Sequence, residues 1–346
     1  MSGVMQAVIK RDTPWANLEE IAIPHCGDSD VLVEVLAAGI CGSDIHRYRW
    51  EPSRGAPNFK VPLVMGHEFC GRVIEVGSQV THVQRDQLIT AETHIPCGHC
   101  YQCETGDQHI CANVKVLGLQ ADGCFAKYAV LPAICARFIP KELAVEEATL
   151  LEPLGVAYHA VSLSDVSGDT VAIIGCGTIG LFAVQVAKVL GSSKVIAIDQ
   201  SNSRLEWARH FGADEVLNVS SVNPCDAVAD ITEGIGVGTV IEASGAVNGF
   251  QNGLMMARRG GTLVAVGMVQ QPVELDVPFH LVRRSLAIRG MWGRRMFSTW
   301  RAVTALVKEK RFNLQAMITA KLPLSDYEQG FAMAQSGDHI KVLLVP

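Results

Sequence analysis

Positive charge is in short supply: 29 lysines and arginines face 35 aspartates and glutamates in 346 residues, a net charge of −6. A chain that tracks a phosphate backbone needs the opposite balance, which argues against nucleic acid as a partner. Charged residues make up only 18% and apolar ones 49%. That excludes a disordered chain and provides for a large buried core. Long uninterrupted apolar runs are missing as well. The most apolar stretch, Val171 to Leu190, carries three glycines with Gln185 and Lys188, and reads as a buried strand and helix rather than a membrane span. The opening MSGVMQAVIKRD has neither the apolar core nor the small-residue cleavage site of a secretion signal, so a cytoplasmic protein is expected. There is no internal repeat and no low-complexity stretch.

Cysteine is what the chain does have. Eleven are present, at positions 26, 41, 70, 97, 100, 103, 111, 124, 135, 176 and 225. An odd number without a secretion signal disfavours a disulfide framework, because reducing compartments keep thiols free. Metal ligation is then the question to test.

Up to about Ile139 the apolar runs are short, rich in Val and Ile, and broken by Gly, Pro, Asn and Asp, which indicates a β-rich region with long loops. After Leu154 β-branched strands alternate with helical stretches: Thr170 to Ile174, Thr178 to Leu190, Lys194 to Ile198 and Ser203 to Phe211. That alternation predicts a doubly wound parallel sheet. Further strands are expected at Thr239 to Glu242, Thr262 to Val266 and Leu286 to Arg289. Helices are expected at Asn248 to Ala257 and Met296 to Val307, and a last strand at Lys341 to Val345, returning to the first region.

Cys97, Cys100, Cys103 and Cys111 form C-x2-C-x2-C-x7-C, four thiols within fifteen residues. Two-residue spacings let a turning backbone aim successive sulfurs at one point, as tetrahedral zinc requires. The common iron–sulfur spacings are not met. A zinc whose positions are all filled by protein holds a loop and leaves no place for substrate. His94, His99 and His109 nearby are read as solvated loop residues.

Strand residues 171 to 174 lead into Gly175-Cys-Gly177-Thr178-Ile179-Gly180, which opens a helix, and Asp199 follows nineteen residues after Gly180. A G-x-G-x-x-G in that setting is a dinucleotide loop: Gly175 for the turn, Gly177 for close approach of the pyrophosphate, Gly180 for packing of helix on strand. Asp199 would accept hydrogen bonds from the adenosine ribose and repel a 2′-phosphate, favouring NAD over NADP. Arg204, one turn on, either stacks on adenine or is a solvated helix arginine. Val266, Gly267 and Met268 at the end of one later strand, and Met291 and Trp292 after another, complete the cofactor-side candidates.

Gly39-Ile-Cys41-Gly-Ser43-Asp44-Ile-His46 and Gly66-His67-Glu68 would each be ordinary alone. A nicotinamide cofactor needs a polarised carbonyl or alkoxide beside it, and a catalytic zinc with mixed ligands and one open position supplies that. The order GICGSDIH, GHE, CGHCYQC…C, EPLGVAYH, GCGTIG resembles the zinc-dependent medium-chain alcohol and polyol dehydrogenases over nearly the whole chain. The resemblance implies a catalytic domain on a GroES-like β-barrel, residues 1–153 and 291–346, and an inserted Rossmann NAD-binding domain, residues 154–290. It implies zinc ligands at Cys41 and His67, a carboxylate from Glu68 or Glu152, a proton relay through Ser43 and His46, and a homotetramer whose subunits pair near Leu286.

Three stretches, Glu92 to Cys97, Asp122 to Val130 and Gly293 to Trp300, are most similar to the threonine branch of that family. This implies oxidation of L-threonine to 2-amino-3-oxobutanoate, with Arg294 or Arg295 as candidate partners for the substrate carboxylate. A polyol or sugar alcohol is the alternative substrate. A non-catalytic zinc and nucleotide binder is the other alternative, and should lack Cys41, His67 or Glu152.

Overall fold

The computed structural model describes residues 3–50 and 60–346. The chain divides into two compact units, Met1–Glu152 with Arg294–Pro346, and Pro153–Gly293.

In the second unit, strands of four to nine residues are separated by helices and form a six-stranded parallel sheet. Its order is Glu215–Asn218, Lys194–Asp199, Thr170–Ile174, Val237–Glu242, Ala257–Ala265, Ala287–Gly290. Numbered along the chain that is 3-2-1-4-5-6, the dinucleotide-binding arrangement, with its switch point between the first and fourth strands. The central strands are apolar on both faces because helices cover both. Val171, Ile173, Val195 and Ile196 are fully buried. Helix Thr178–Val189 is buried from Gly180 through Ala187.

The first unit is built on mostly antiparallel sheet, with one parallel pair, Ile318–Pro323 and Lys341–Val345. Strands Ala136–Phe138, Leu88–Ala91, Glu68–Val76, Asp30–Gly39, Lys341–Val345 and Ile318–Pro323 follow one another, and Tyr128–Pro132 also pairs with Asp30–Gly39. Val342, Leu344, Val33, Val35 and Phe69 share one apolar core with Phe331 of helix Tyr327–Ser336. The last strand places Leu343 opposite Gly39. That register carries Lys341 toward the end of Asp30–Gly39 from which Cys41 emerges.

Several boundaries differ from the sequence reading. The strand expected at Thr262 begins at Ala257, and the helix expected from Met296 begins at Ser298 with Phe297 as its N-cap. Strand Glu215–Asn218 is short, lies at the sheet edge and has no fully buried residue, so no apolar alternation marked it. No helix among the described residues is long and apolar enough to cross a membrane.

Candidate metal centres and cofactor loop

The four sulfurs of Cys97, Cys100, Cys103 and Cys111 all lie within 4.8 Å of one another. Cys100 is 3.5 Å from Cys103 and 3.7 Å from Cys111, close to the ~3.8 Å edge of a tetrahedron with metal–sulfur bonds of about 2.3 Å. Backbone N–H groups of Cys97 and Asn113 each donate to the Cys111 sulfur at 3.3 Å. The backbone N–H of His99 helps bring the Cys97 thiol down to about 6, whereas burial pushes Cys111 up to about 12. A dication binding all four as thiolates removes that difference. His99 is exposed as expected, but His94 and His109 are buried. His94 is not solvated: its backbone N–H and ring Nδ1 lie 2.9 and 3.1 Å from Glu92 Oε1.

Cys41 is the N-cap of the short helix Gly42–Tyr48, and His67 immediately precedes strand Glu68–Val76. Ligand atoms of Cys41, His67 and Glu68 lie within 4.8 Å of one another. Asp44, which sequence reasoning passed over, sits behind them fully buried. Its Oδ2 accepts the Cys41 N–H at 3.1 Å, and its Oδ1 lies 3.2 Å from Arg47 Nη1 and 3.4 Å from His67 Nδ1. Burial alone would raise the Asp44 carboxyl, yet His67, Arg47 and that N–H bring it down. The His67 imidazole moves upward despite burial, because Asp44 and Cys41 favour positive charge there. Surroundings that favour a proton on His67 favour a metal dication more. Where an imidazole ligates a metal, a carboxylate behind it is the usual orienting partner.

Glu68 Oε2 accepts from Lys341 Nζ at 2.6 Å, and Lys341 also donates to the Ile40 carbonyl at 3.0 Å. Burial pushes the Glu68 carboxyl up, with Lys341 pulling the other way. Glu68 Oε1 is buried without a hydrogen-bond partner. A buried carboxylate oxygen left free inside a Cys/His cluster fits a cation and is costly otherwise, so the donor set suits zinc.

Glu152 is not among those mutually close ligand atoms. Its carboxylate pairs with Arg294 and accepts from the Thr93 hydroxyl at 3.3 Å. Arg294 is fully buried and forms a fork on Glu92, Nε to Oε2 at 3.0 Å and Nη2 to Oε1 at 2.6 Å. Trp300 donates its indole N–H to Glu92 at 2.7 Å. The expectation that Arg294 serves a substrate carboxylate is therefore corrected: two protein carboxylates occupy it. Arg295 is exposed. Ser43, half-buried, and His46, exposed, lie three residues apart on helix Gly42–Tyr48.

In the other unit, Gly175 has φ +90° and packs so tightly that a Cβ would stand 2.7 Å from the Ser244 nitrogen. A Cβ on Gly180 would meet the Gly175 carbonyl at 1.8 Å, while the space beside Gly177 is open. Gly177 caps helix Thr178–Val189, so the N–H groups of that first turn, around Thr178 and Ile179, can face phosphates. Asp199 ends its strand and is buried; its carboxylate takes the Cys176 N–H at 2.7 Å and the Ser201 N–H at 2.9 Å. Arg204 is half-buried on the following helix. Val266 and Gly267 donate to the Glu242 carbonyl at 2.9 and 2.8 Å. Met268 is exposed, and Met291 and Trp292 are half-buried just after strand Ala287–Gly290.

Two family models match the chain, "Alcohol dehydrogenase GroES-like domain" over residues 27–141 and "Zinc-binding dehydrogenase" over residues 178–309. An L-threonine 3-dehydrogenase of Bacillus subtilis is 41% identical over 346 residues, covering 100% of this chain and 99% of that protein. A putative zinc-binding dehydrogenase from Sinorhizobium meliloti, solved bound to NADP, superposes with TM-score 0.92 at 32% identity, covering 99% of this chain and 100% of the other. The 2R,3R-butanediol dehydrogenase of Bacillus subtilis gives 0.89 at 29% identity, with 99% of each chain covered. With a GroES-like domain, a Rossmann sheet and two cysteine-containing metal sets in one chain, this protein belongs to the zinc-binding alcohol dehydrogenase family.

Proposed function

We propose that the chain oxidises a small secondary alcohol with NAD, L-threonine to 2-amino-3-oxobutanoate being the reaction it fits best. The observation that carries the chemistry is the Cys41, His67 and Glu68 set, with a buried carboxylate oxygen free among its ligand atoms. Zinc held there supplies a Lewis acid that lowers the pKa of a hydroxyl. Asp44, its Oδ1 3.4 Å from His67 Nδ1, favours positive charge on that imidazole, and Lys341 sets the direction of Glu68. Glu68 is the carboxylate in reach, because Arg294 holds Glu152. Ser43 and His46 lie on neighbouring turns of one helix face, with the imidazole toward solvent. They are the groups to pass the hydroxyl proton outward. Four clustered thiols at the second set hold the 97–111 loop as a structural zinc site.

The threonine assignment is supported by full-length similarity to a threonine dehydrogenase, and NAD rather than NADP by the Asp199 carboxylate. A diol or polyol is the second reading, favoured by the likeness to the butanediol enzyme. Strand Ala287–Gly290 ends its sheet, with Val277 and Val282 exposed shortly before it. That edge is where we place pairing between subunits of a homotetramer. Thiols gathered as metal sets suit the cytoplasm. Comparing NADH formation from L-threonine, 2,3-butanediol and sorbitol tests the substrate. Threonine should give the highest kcat/KM, and no threonine turnover alongside brisk polyol oxidation would transfer the assignment.

A further inference from the structure

We infer that Glu242 is a positioning residue for the dinucleotide, its buried carboxylate locking the turns that form the cofactor's seat; this rests on the NAD reading above and adds a residue to it. Glu242 ends strand Val237–Glu242 and is the register partner of Ile174, the residue before the glycine loop. It therefore stands at the switch point, outside which such sheets bind their ligands.

Glu242 Oε1 accepts the N–H groups of Ser244 at 2.9 Å and Gly245 at 3.1 Å, and the Ser244 hydroxyl as well. Its backbone carbonyl takes the N–H groups of Val266 and Gly267 at 2.9 and 2.8 Å, and Ala243 N–H reaches the Ile174 carbonyl at 2.8 Å. Glu242 and the Ala243 N–H that follows it thus tie the ends of three adjacent strands together. Packing leaves no slack between them. A Cβ on Gly267 would lie 2.2 Å from the Gly245 nitrogen and 2.8 Å from Glu242 Oε2, and one on Gly175 would lie 2.7 Å from the Ser244 nitrogen. The turn at 243–246 is a wedge between the phosphate loop and the 266–268 segment. A fully buried carboxylate is costly; burial moves the Glu242 carboxyl upward, and the Ser244 and Gly245 donors that counter part of that rise belong to the turn it holds.

Titration of NADH by its fluorescence, with thermal unfolding in parallel, tests this on the zinc-loaded protein. Glu242→Ala leaves the Ser244 and Gly245 donors unmatched and should weaken NADH about tenfold, while Glu242→Gln, which keeps the acceptor, should stay within about threefold of wild type. If Glu242→Ala does not fold, Ser244→Ala carries the test, with weakening of about threefold expected. A folded Glu242→Ala, or failing that Ser244→Ala, that binds NADH as tightly as wild type overturns the inference. Equal loss in Glu242→Gln and Glu242→Ala overturns it too. Wild-type protein that binds no NADH overturns the NAD reading itself.

Discussion

Lys341, in the last strand, places its ammonium 2.6 Å from the Glu68 carboxylate, 273 positions earlier in the chain, with both side chains buried. Burial works against the Lys341 charge, but Glu68 and Cys41 more than offset it and move its pKa upward. Removing one partner of such a pair strands the other. Lys341→Met should therefore destabilise the protein by about 3–5 kcal/mol, read by chemical denaturation followed by circular dichroism. A denaturation midpoint equal to wild type would mean that the pair is not needed.

Glu92 gives the pH dependence. Burial would raise its carboxyl, but Arg294 and His94 bring it well below the ordinary 4.5. A depressed folded pKa means stability that is complete above pH 4.5 and drains away as pH falls toward the lower folded value. Glu92→Gln should be less stable than wild type at pH 7, and the gap should narrow as the pH is taken below 4.5. Parallel stability curves for the two proteins from pH 7 to 3 would argue against an ionised Glu92 in the core.

At the four-thiol cluster, a closed metal site contributes folding energy. Cys100→Ser should lower the unfolding temperature and release one metal ion while leaving the Cys41 set loaded. Calorimetry with metal analysis checks this. Unchanged thermal stability would remove the structural role.

Asp199 should set cofactor choice. Asp199→Gly removes the charge that repels a 2′-phosphate, so kcat/KM for NAD relative to NADP should fall at least about tenfold. A ratio that does not move would show that the preference lies elsewhere.

What could be read from the sequence was local. The four thiols span fifteen residues and the glycine loop six, and in both the spacing itself encodes the geometry. Asp44 lay inside a quoted motif, but only the fold shows it behind His67. The pairs Glu92 with Arg294 and Glu68 with Lys341 span 202 and 273 positions, and no local pattern joins residues that far apart. The one available signal was Lys341 opening the apolar run Val-Leu-Leu-Val; Arg294 opens no such run. Arg294 and Arg295 are equal candidates for a substrate carboxylate in the sequence, because a cation in a motif gives no indication of the carboxylates it will meet.

The central claim is that Cys41, His67 and Glu68 form a metal site separate from the four-thiol cluster and responsible for turnover. Zinc content per chain in wild type and Cys41→Ser, measured with NADH production on the same preparations, tests it most directly. We expect two zinc ions in the wild type, and in the folded variant one zinc and no detectable turnover. Two zinc ions and wild-type turnover in Cys41→Ser would contradict the account.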